Sequence, residues 1–164
     1  MPNEVFAKPC VGAIIQKTIG GVPHILLQTR QKPDGDETNG KLELPAGKIR
    51  EYEGIFDALR REVWEETGLQ ITKIGGEEAV VPMHSGGADT ISFAPYCVTQ
   101  NLSGAYSIVL LTFICEAEGE LLERTEETEN IRWVPVSAAE RMVREEPERF
   151  FFMHLHALRK YLVI

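Results

Sequence analysis

This 164-residue chain carries no excess of basic residues. Seventeen Lys and Arg stand against 25 Asp and Glu, a formal net charge of −8. That balance excludes the broad basic patch that a nucleic acid or an anionic membrane surface requires. It does not exclude a nucleotide, because bound cations can reverse the local field. No apolar run reaches the roughly 18 residues of a membrane-spanning helix. The N-terminus, Met1-Pro2-Asn3-Glu4-Val5-Phe6, has neither a basic start nor an apolar run behind it, so no signal peptide is read there. Cysteine is scarce. Cys10, Cys97 and Cys115 share no CxxC spacing, and each sits in an apolar, strand-like context. They read as reduced core thiols of a cytoplasmic protein. There is no long linker, internal repeat or low-complexity tract. What is present is an ordinary globular balance, 43% hydrophobic and 26% charged, at a length that suits one domain over residues 1–164.

Lys8 to Thr18 is apolar and β-branched, Gly20-Gly21 signals a hairpin turn, and His24 to Arg30 reads as the returning strand. Pro33 to Gly40 is a polar loop by its turn chemistry, either a solvated connector or a mobile segment that gates a site. A short strand from Leu42 is stopped by Pro45, and Ala46-Gly47 lets the backbone approach something closely. A helix runs from about Gly54 to Thr67, and Gly68 ends it. Gln70 to Pro82 holds one or two strands, with Gly75-Gly76 a bulge or turn, and Met83 to Asp89 is a second flexible loop. Thr90 to Thr99 and Tyr106 to Glu118 are strand-like. Ile108 to Ile114 is nearly all apolar, which suits a strand covered on both faces. Asn130 to Pro135 is a short strand. Ser137 caps a helix to Glu145, with Glu140 three residues on. Pro147 opens a last helix to Leu162, on which Phe151, Leu155, Leu158 and Leu162 form an apolar stripe. The expected fold class is α/β, a mixed sheet with helices on both faces.

The stretch from Gly47 to Leu69 concentrates chemistry. With Glu62 at zero on a helical wheel, Glu66 falls at about 40° and Glu65 at about −60°. Three carboxylates therefore crowd one side of a single turn. Like charges so placed destabilise a helix, and a hard divalent cation removes the repulsion by taking oxygen ligands. Ile55, Ala58, Leu59 and Val63 share a broad arc with Glu62, so the acids sit beside the buried face. A merely solvated charge cluster would sit opposite it. Arg61, near −100° on the same wheel, can pair with Glu53 or Glu65, and its rigid fork suits it to orienting a carboxylate. Trp64 points away from the buried arc.

The pattern Gly47-x5-Glu53-x7-Arg61-Glu62-Val63-x-Glu65-Glu66-x-Gly68-Leu69 resembles the Nudix box, with every fixed position present. A chance match is on the order of 10⁻⁸ per starting position from average residue usage. The resemblance implies an α/β/α sandwich, and hydrolysis of a nucleoside diphosphate linked to another group, with Mg²⁺ or Mn²⁺. It implies Glu62, Glu65 and Glu66 as metal ligands with the Ala46 carbonyl. It also implies Arg61 and Glu53 as positioning groups, and one of the box carboxylates as general base. Within the run Glu126-Glu127-Thr128-Glu129, Glu127 is taken as a downstream metal ligand. Arg30, Gly47, His84 and Tyr96 are the expected substrate contacts. A metal-binding His154-x-His156 pair is set aside, because on a helix the two face about 200° apart.

Leu44-Pro45-Ala46-Gly47 resembles the loop of members acting on ADP-ribose or sugar nucleotides. A small-molecule nucleotide is the expected partner, with no nucleic acid or membrane. The alternatives are a sanitising nucleoside-triphosphate pyrophosphohydrolase, and a regulatory module that binds a nucleotide without cleaving it. Small domains of this resemblance are often homodimers, for which the last helix or Trp64 would supply the contact.

Overall fold

The computed structural model describes residues 3–164. Met1 and Pro2, the start of the segment read for a leader, lie outside the described residues. The architecture rests on two long strands with buried centres, β1 (Lys8–Ile19) and β2 (Val22–Arg30). The Gly20-Gly21 turn joins them, both glycines at positive φ (56° and 78°), the backbone a two-residue hairpin demands. β3 (Leu42–Glu43) and β4 (Ala46–Lys48) follow, then helix α1 (Ile55–Thr67). Next come β5 (Gln70–Ile74), β6 (Val81–Ser85), β7 (Ala88–Ser92), β8 (Cys97–Gln100), β9 (Ile108–Glu118) and β10 (Thr128–Pro135). Helices α2 (Val136–Glu145) and α3 (Leu155–Leu162) complete the chain.

The eight-stranded sheet runs in the order β10-β2-β1-β9-β5, with β3 on β2, β4 on β1 and β8 on β9. β1 and β9 are parallel and the other pairs antiparallel, so the sheet is mixed. Alternation along β1 divides the core. Ala13 and Ile15 pack with Leu59 and Val63 of α1, whereas Ile14 packs with Val143 of α2 and Leu158 of α3. Side chains alternate between sheet faces with period two, so α1 covers one face and α2 with α3 the other. Among the described residues no helix is long and apolar enough to cross a membrane.

Four local expectations are corrected. Met83 to Asp89 is not a loop but most of the β6–β7 hairpin, closed by Gly86-Gly87 at positive φ (60° and 76°). The expected strand from Thr90 to Thr99 is broken after Ser92, because Phe93 turns in to pack with Phe56 and Phe113. Pro147 to Leu162 is not one helix. Short 3₁₀ turns at Pro147–Arg149 and Phe152–His154 precede α3, and Phe150 and Phe151 between them are extended and buried. The Phe151 N–H donates to the Leu42 carbonyl at 2.8 Å, so burial of two aromatic rings and a bond to β3 replace two helical turns. Ser137 does not cap α2, which starts at Val136 with no side-chain cap. The apolar face of α3 is spent in the core, while Trp64 remains 53% exposed.

Candidate active site

Helix α1 ends where Gly68 adopts the left-handed conformation and its N–H donates to the Trp64 carbonyl. Glu66 lies on the buried face with Leu59 and Val63 and is only 6% exposed. Register explains what meets it. Gln28 of β2 is paired with Glu43 of β3, and partners in a ladder project to the same face. The Gln28 amide nitrogen donates to Glu66 Oε2 at 2.8 Å and to Glu43 Oε1 at 3.4 Å. The Ala46 N–H donates to the same Glu66 oxygen at 3.0 Å. Burial, then the nearby Glu43 carboxylate, push the Glu66 carboxyl up to about 8 against these two hydrogen bonds. Burial also raises Glu43, although Arg30 pairs with it.

Arg61 organises the other acids. Its Nε and Nη2 donate to Glu53 at 2.6 and 2.8 Å, and Nη1 reaches Glu62 at 2.5 Å and Glu65 at 3.2 Å. Nη2 also donates to the Lys48 carbonyl at 3.0 Å, tying the fork to β4. The Arg61 hydrogen bonds lower the Glu53 carboxyl to about 2, so it stays ionised across the neutral range. Gly47 is required by contact. A Cβ there would collide with the Glu62 carboxylate.

Ala46, Gly47, Arg61, Glu62, Glu65 and Glu66 line an open cleft of about 540 Å³, bordered also by Lys32 and by Thr125 to Glu127. A second cavity, of about 630 Å³, is lined by Phe6, Tyr106, Phe151, Arg30, Asp36 and Glu43, among others. The two share Lys32, Ala46, Gly47, Lys48 and Glu127, so they adjoin along β4. An acidic cleft laid against an aromatic pocket suits a ligand with a phosphate-bearing middle and a planar end.

The family model for the NUDIX domain matches residues 7–153. The chain belongs to the Nudix hydrolase family. Solved structures agree in fold. The NUDIX domain of Shewanella oneidensis NrtR, complexed with ADP ribose, superposes with a TM-score of 0.67 at 14% identity, over 96% of this chain and 88% of that one. A MutT protein from Methanosarcina mazei Go1 superposes at 0.58 and 18% identity, over 96% and 94%. A MutT NUDIX hydrolase from Burkholderia pseudomallei gives 0.57 and 20%, over 95% of both chains. No curated protein matches the chain in sequence.

In this Nudix chain the structure brings Ala46, Gly47, Arg61, Glu62, Glu65, Glu66 and Glu127 to one cleft, with Glu53 held behind Arg61. Two expected substrate contacts stand elsewhere. His84 is on the exposed β6–β7 hairpin, bonded to Asp89 at 2.7 Å. Tyr96 is half-buried against the core cluster that α2 and α3 cover, with the Lys160 ammonium 4.3 Å from its ring centre. Arg30 borders the aromatic pocket but is 7% exposed and already committed. It bonds Thr38 at 2.6 Å and Glu43 at 3.2 Å, pairs with Asp36, and lies over the rings of Tyr106 and Phe151. It therefore braces the pocket wall, and with it the Pro33–Gly40 loop.

Gln28, Glu43 and Tyr106, which bond the box acids or line the second cavity, carry no motif in the sequence. Glu43 had a signal, an acid between two leucines in a strand stopped by proline. Tyr106 sits at φ 62°, strain that no sequence pattern announces. Nudix hydrolases generally use divalent cations, and the donor set here fits one. It is all oxygen and mostly carboxylate, the hard chemistry that Mg²⁺ or Mn²⁺ takes, over a glycine that leaves room for Glu62. Among the described residues no three His, Cys, Asp or Glu side chains converge closely enough to hold an ion; Glu62 and Glu65 both pair with Arg61.

Proposed function

We propose that this chain hydrolyses the diphosphate of a nucleoside diphosphate linked to a second group, such as ADP-ribose or a nucleotide sugar, using Mg²⁺ or Mn²⁺. The observation that carries this reading is the shared border of the two clefts along Ala46, Gly47 and Lys48. A ligand with one end in the aromatic pocket lays its diphosphate against the box acids. Glu62, Glu65, Glu66 and the Ala46 carbonyl would hold the cation, with Glu127 as a further carboxylate ligand from the same cleft. When bound, the cation neutralises phosphate charge and makes a water a usable nucleophile at neutral pH. Arg61 keeps Glu62 and Glu65 oriented, and Glu53, ionised and doubly bonded to Arg61, fixes Arg61 in turn. One box carboxylate accepts the water's proton. The products are a nucleoside monophosphate and a phosphorylated second group.

The ADP ribose held by the NUDIX domain of Shewanella oneidensis NrtR supports this class. The similar fold of proteins named MutT supports the second reading, a nucleoside-triphosphate pyrophosphohydrolase. A non-catalytic binding module has no need of all three helix acids. The test compares ADP-ribose, nucleotide sugars, and normal and oxidised nucleoside triphosphates under one metal condition. A triphosphate preferred by tenfold or more in kcat/KM, about 1.4 kcal/mol of transition-state preference, overturns the first reading. A nucleotide bound but never cleaved overturns both.

A further inference from the structure

Lys32 stands where the two clefts meet. Its backbone is clamped by one side chain, for its N–H donates to Asn39 Oδ1 at 2.7 Å and Asn39 Nδ2 donates back to its carbonyl at 2.9 Å. Its ammonium pairs with Glu127. Glu127 is fixed at its own backbone, its carbonyl accepting from the Gln31 N–H at 2.8 Å and its N–H donating to Thr125 Oγ1 at 3.2 Å. The next residue, Thr128, donates its hydroxyl to the Glu66 carbonyl at 3.2 Å. Two oppositely charged side chains are thus launched from fixed backbones at the edge of both clefts, and each borders both.

The cations around this neck are not equivalent. Arg61 serves three carboxylates and Arg30 two. Lys48 borders both clefts and makes no ion pair among the described residues. Lys32 is held by a single carboxylate, with side-chain exposures of 25% for Lys32 and 50% for Glu127. A pair so open to solvent contributes little to stability, so exchanging its partners costs little. A diphosphate entering the neck offers the ammonium a more highly charged acceptor. A cation in the acidic cleft offers the Glu127 carboxylate a doubly charged partner.

We propose that Lys32 anchors the substrate's diphosphate at the neck between the two clefts, and that Glu127 is its resting counter-ion, released when Glu127 turns to a divalent cation. The pair is then a partner exchange that makes diphosphate binding depend on metal. The inference rests on the diphosphate-linked substrate class proposed above, and concerns two residues of that site.

Calorimetric binding of α,β-methylene ADP-ribose, which carries the diphosphate charge without a cleavable bridge, tests it in EDTA and in Mg²⁺. Lys32→Met should weaken binding about 10- to 100-fold in Mg²⁺, the loss of a charge-assisted contact, and change it little in EDTA, where Glu127 occupies the lysine. Lys32→Arg should retain binding. Glu127→Gln should act with opposite signs, tightening binding in EDTA by freeing Lys32 and weakening it in Mg²⁺. A purely structural pair would move both conditions the same way. The melting temperature of Lys32→Met without ligand should match the wild type, as an exposed pair requires. If that variant unfolds, the two signs of Glu127→Gln decide. Wild type that binds the analogue while Lys32→Met binds equally well, or Glu127→Gln that shifts both conditions alike, overturns the inference and leaves the substrate class standing. Wild type that binds neither this analogue nor the α,β-methylene analogue of a nucleotide sugar in Mg²⁺ overturns the substrate class and the inference with it.

Discussion

Replacing Glu66 by Gln should stabilise the metal-free protein, and increasingly so as pH rises. The Glu66 carboxyl is raised from 4.5 to about 8, first by burial and then by the Glu43 carboxylate. Between those two values the folded chain holds a proton that the unfolded chain releases. Stability then falls as pH rises, by up to about 1.4 kcal/mol per pH unit. Across the whole window the ceiling is about 5 kcal/mol. The effect is absent at the acid end, where both states are protonated, and complete once pH passes the folded value. Gln keeps an acceptor for the Gln28 amide and the Ala46 N–H but has no proton to lose. Urea denaturation of both proteins in EDTA at pH 5, 6.5 and 8, at constant ionic strength, measures the difference. The variant should exceed the wild type by less than about 1 kcal/mol at pH 5 and by several kcal/mol at pH 8. Glu43, also raised by burial, leaves a smaller slope in both. Parallel pH curves would refute the reasoning, because they would mean that Glu66 ionises in the fold as readily as in water. Saturating Mg²⁺ should reverse the order, since only the wild type then gains binding free energy.

Chelation should abolish hydrolysis and Mg²⁺ or Mn²⁺ restore it, while Glu62→Gln should lose roughly 10²–10⁴-fold in kcat; steady-state rates in metal-free and metal-replete buffer check both. Gly47→Ala forces the Glu62 carboxylate aside, a side-chain shift that should leave the melting temperature nearly unchanged and cost about 10²-fold in turnover. Arg61→Lys cannot span Glu53 and Glu62 with one planar fork, so kcat should fall by about tenfold or more with the fold intact by circular dichroism. His84→Ala and Tyr96→Phe, both outside the two clefts, should keep kcat/KM within about twofold of wild type, and a large loss in either would place a substrate contact outside those two clefts.

The box was legible because its constraints are local. The spacing of Glu62, Glu65 and Glu66 sets their angles on one helix whatever surrounds it, and the αL stop at Gly68 follows from a residue without Cβ. The β1–β2 hairpin was legible for the same reason, in the Gly20-Gly21 turn between β-branched runs. The final helix was not. Helical periodicity runs through Phe150 and Phe151, but the space beneath β3 and the Leu42 carbonyl draw them out of it. The β6–β7 hairpin lay hidden in what read as loop chemistry, although Gly86-Gly87 was its turn.

The helix, its acids and the family pattern follow from local spacing, all carried by residues within about one box length of each other. Why the Glu66 carboxyl is raised lies outside that local pattern, in its burial and in Glu43 and Gln28 arriving from β3 and β2 in register. The fold also sets Arg30 into a wall, packs a half-buried Tyr96 against the core on the α3 side, and brings Lys32 and Glu127, 95 residues apart in the chain, together at the neck. Long-range pairing of strands sets those encounters, and no local period records them.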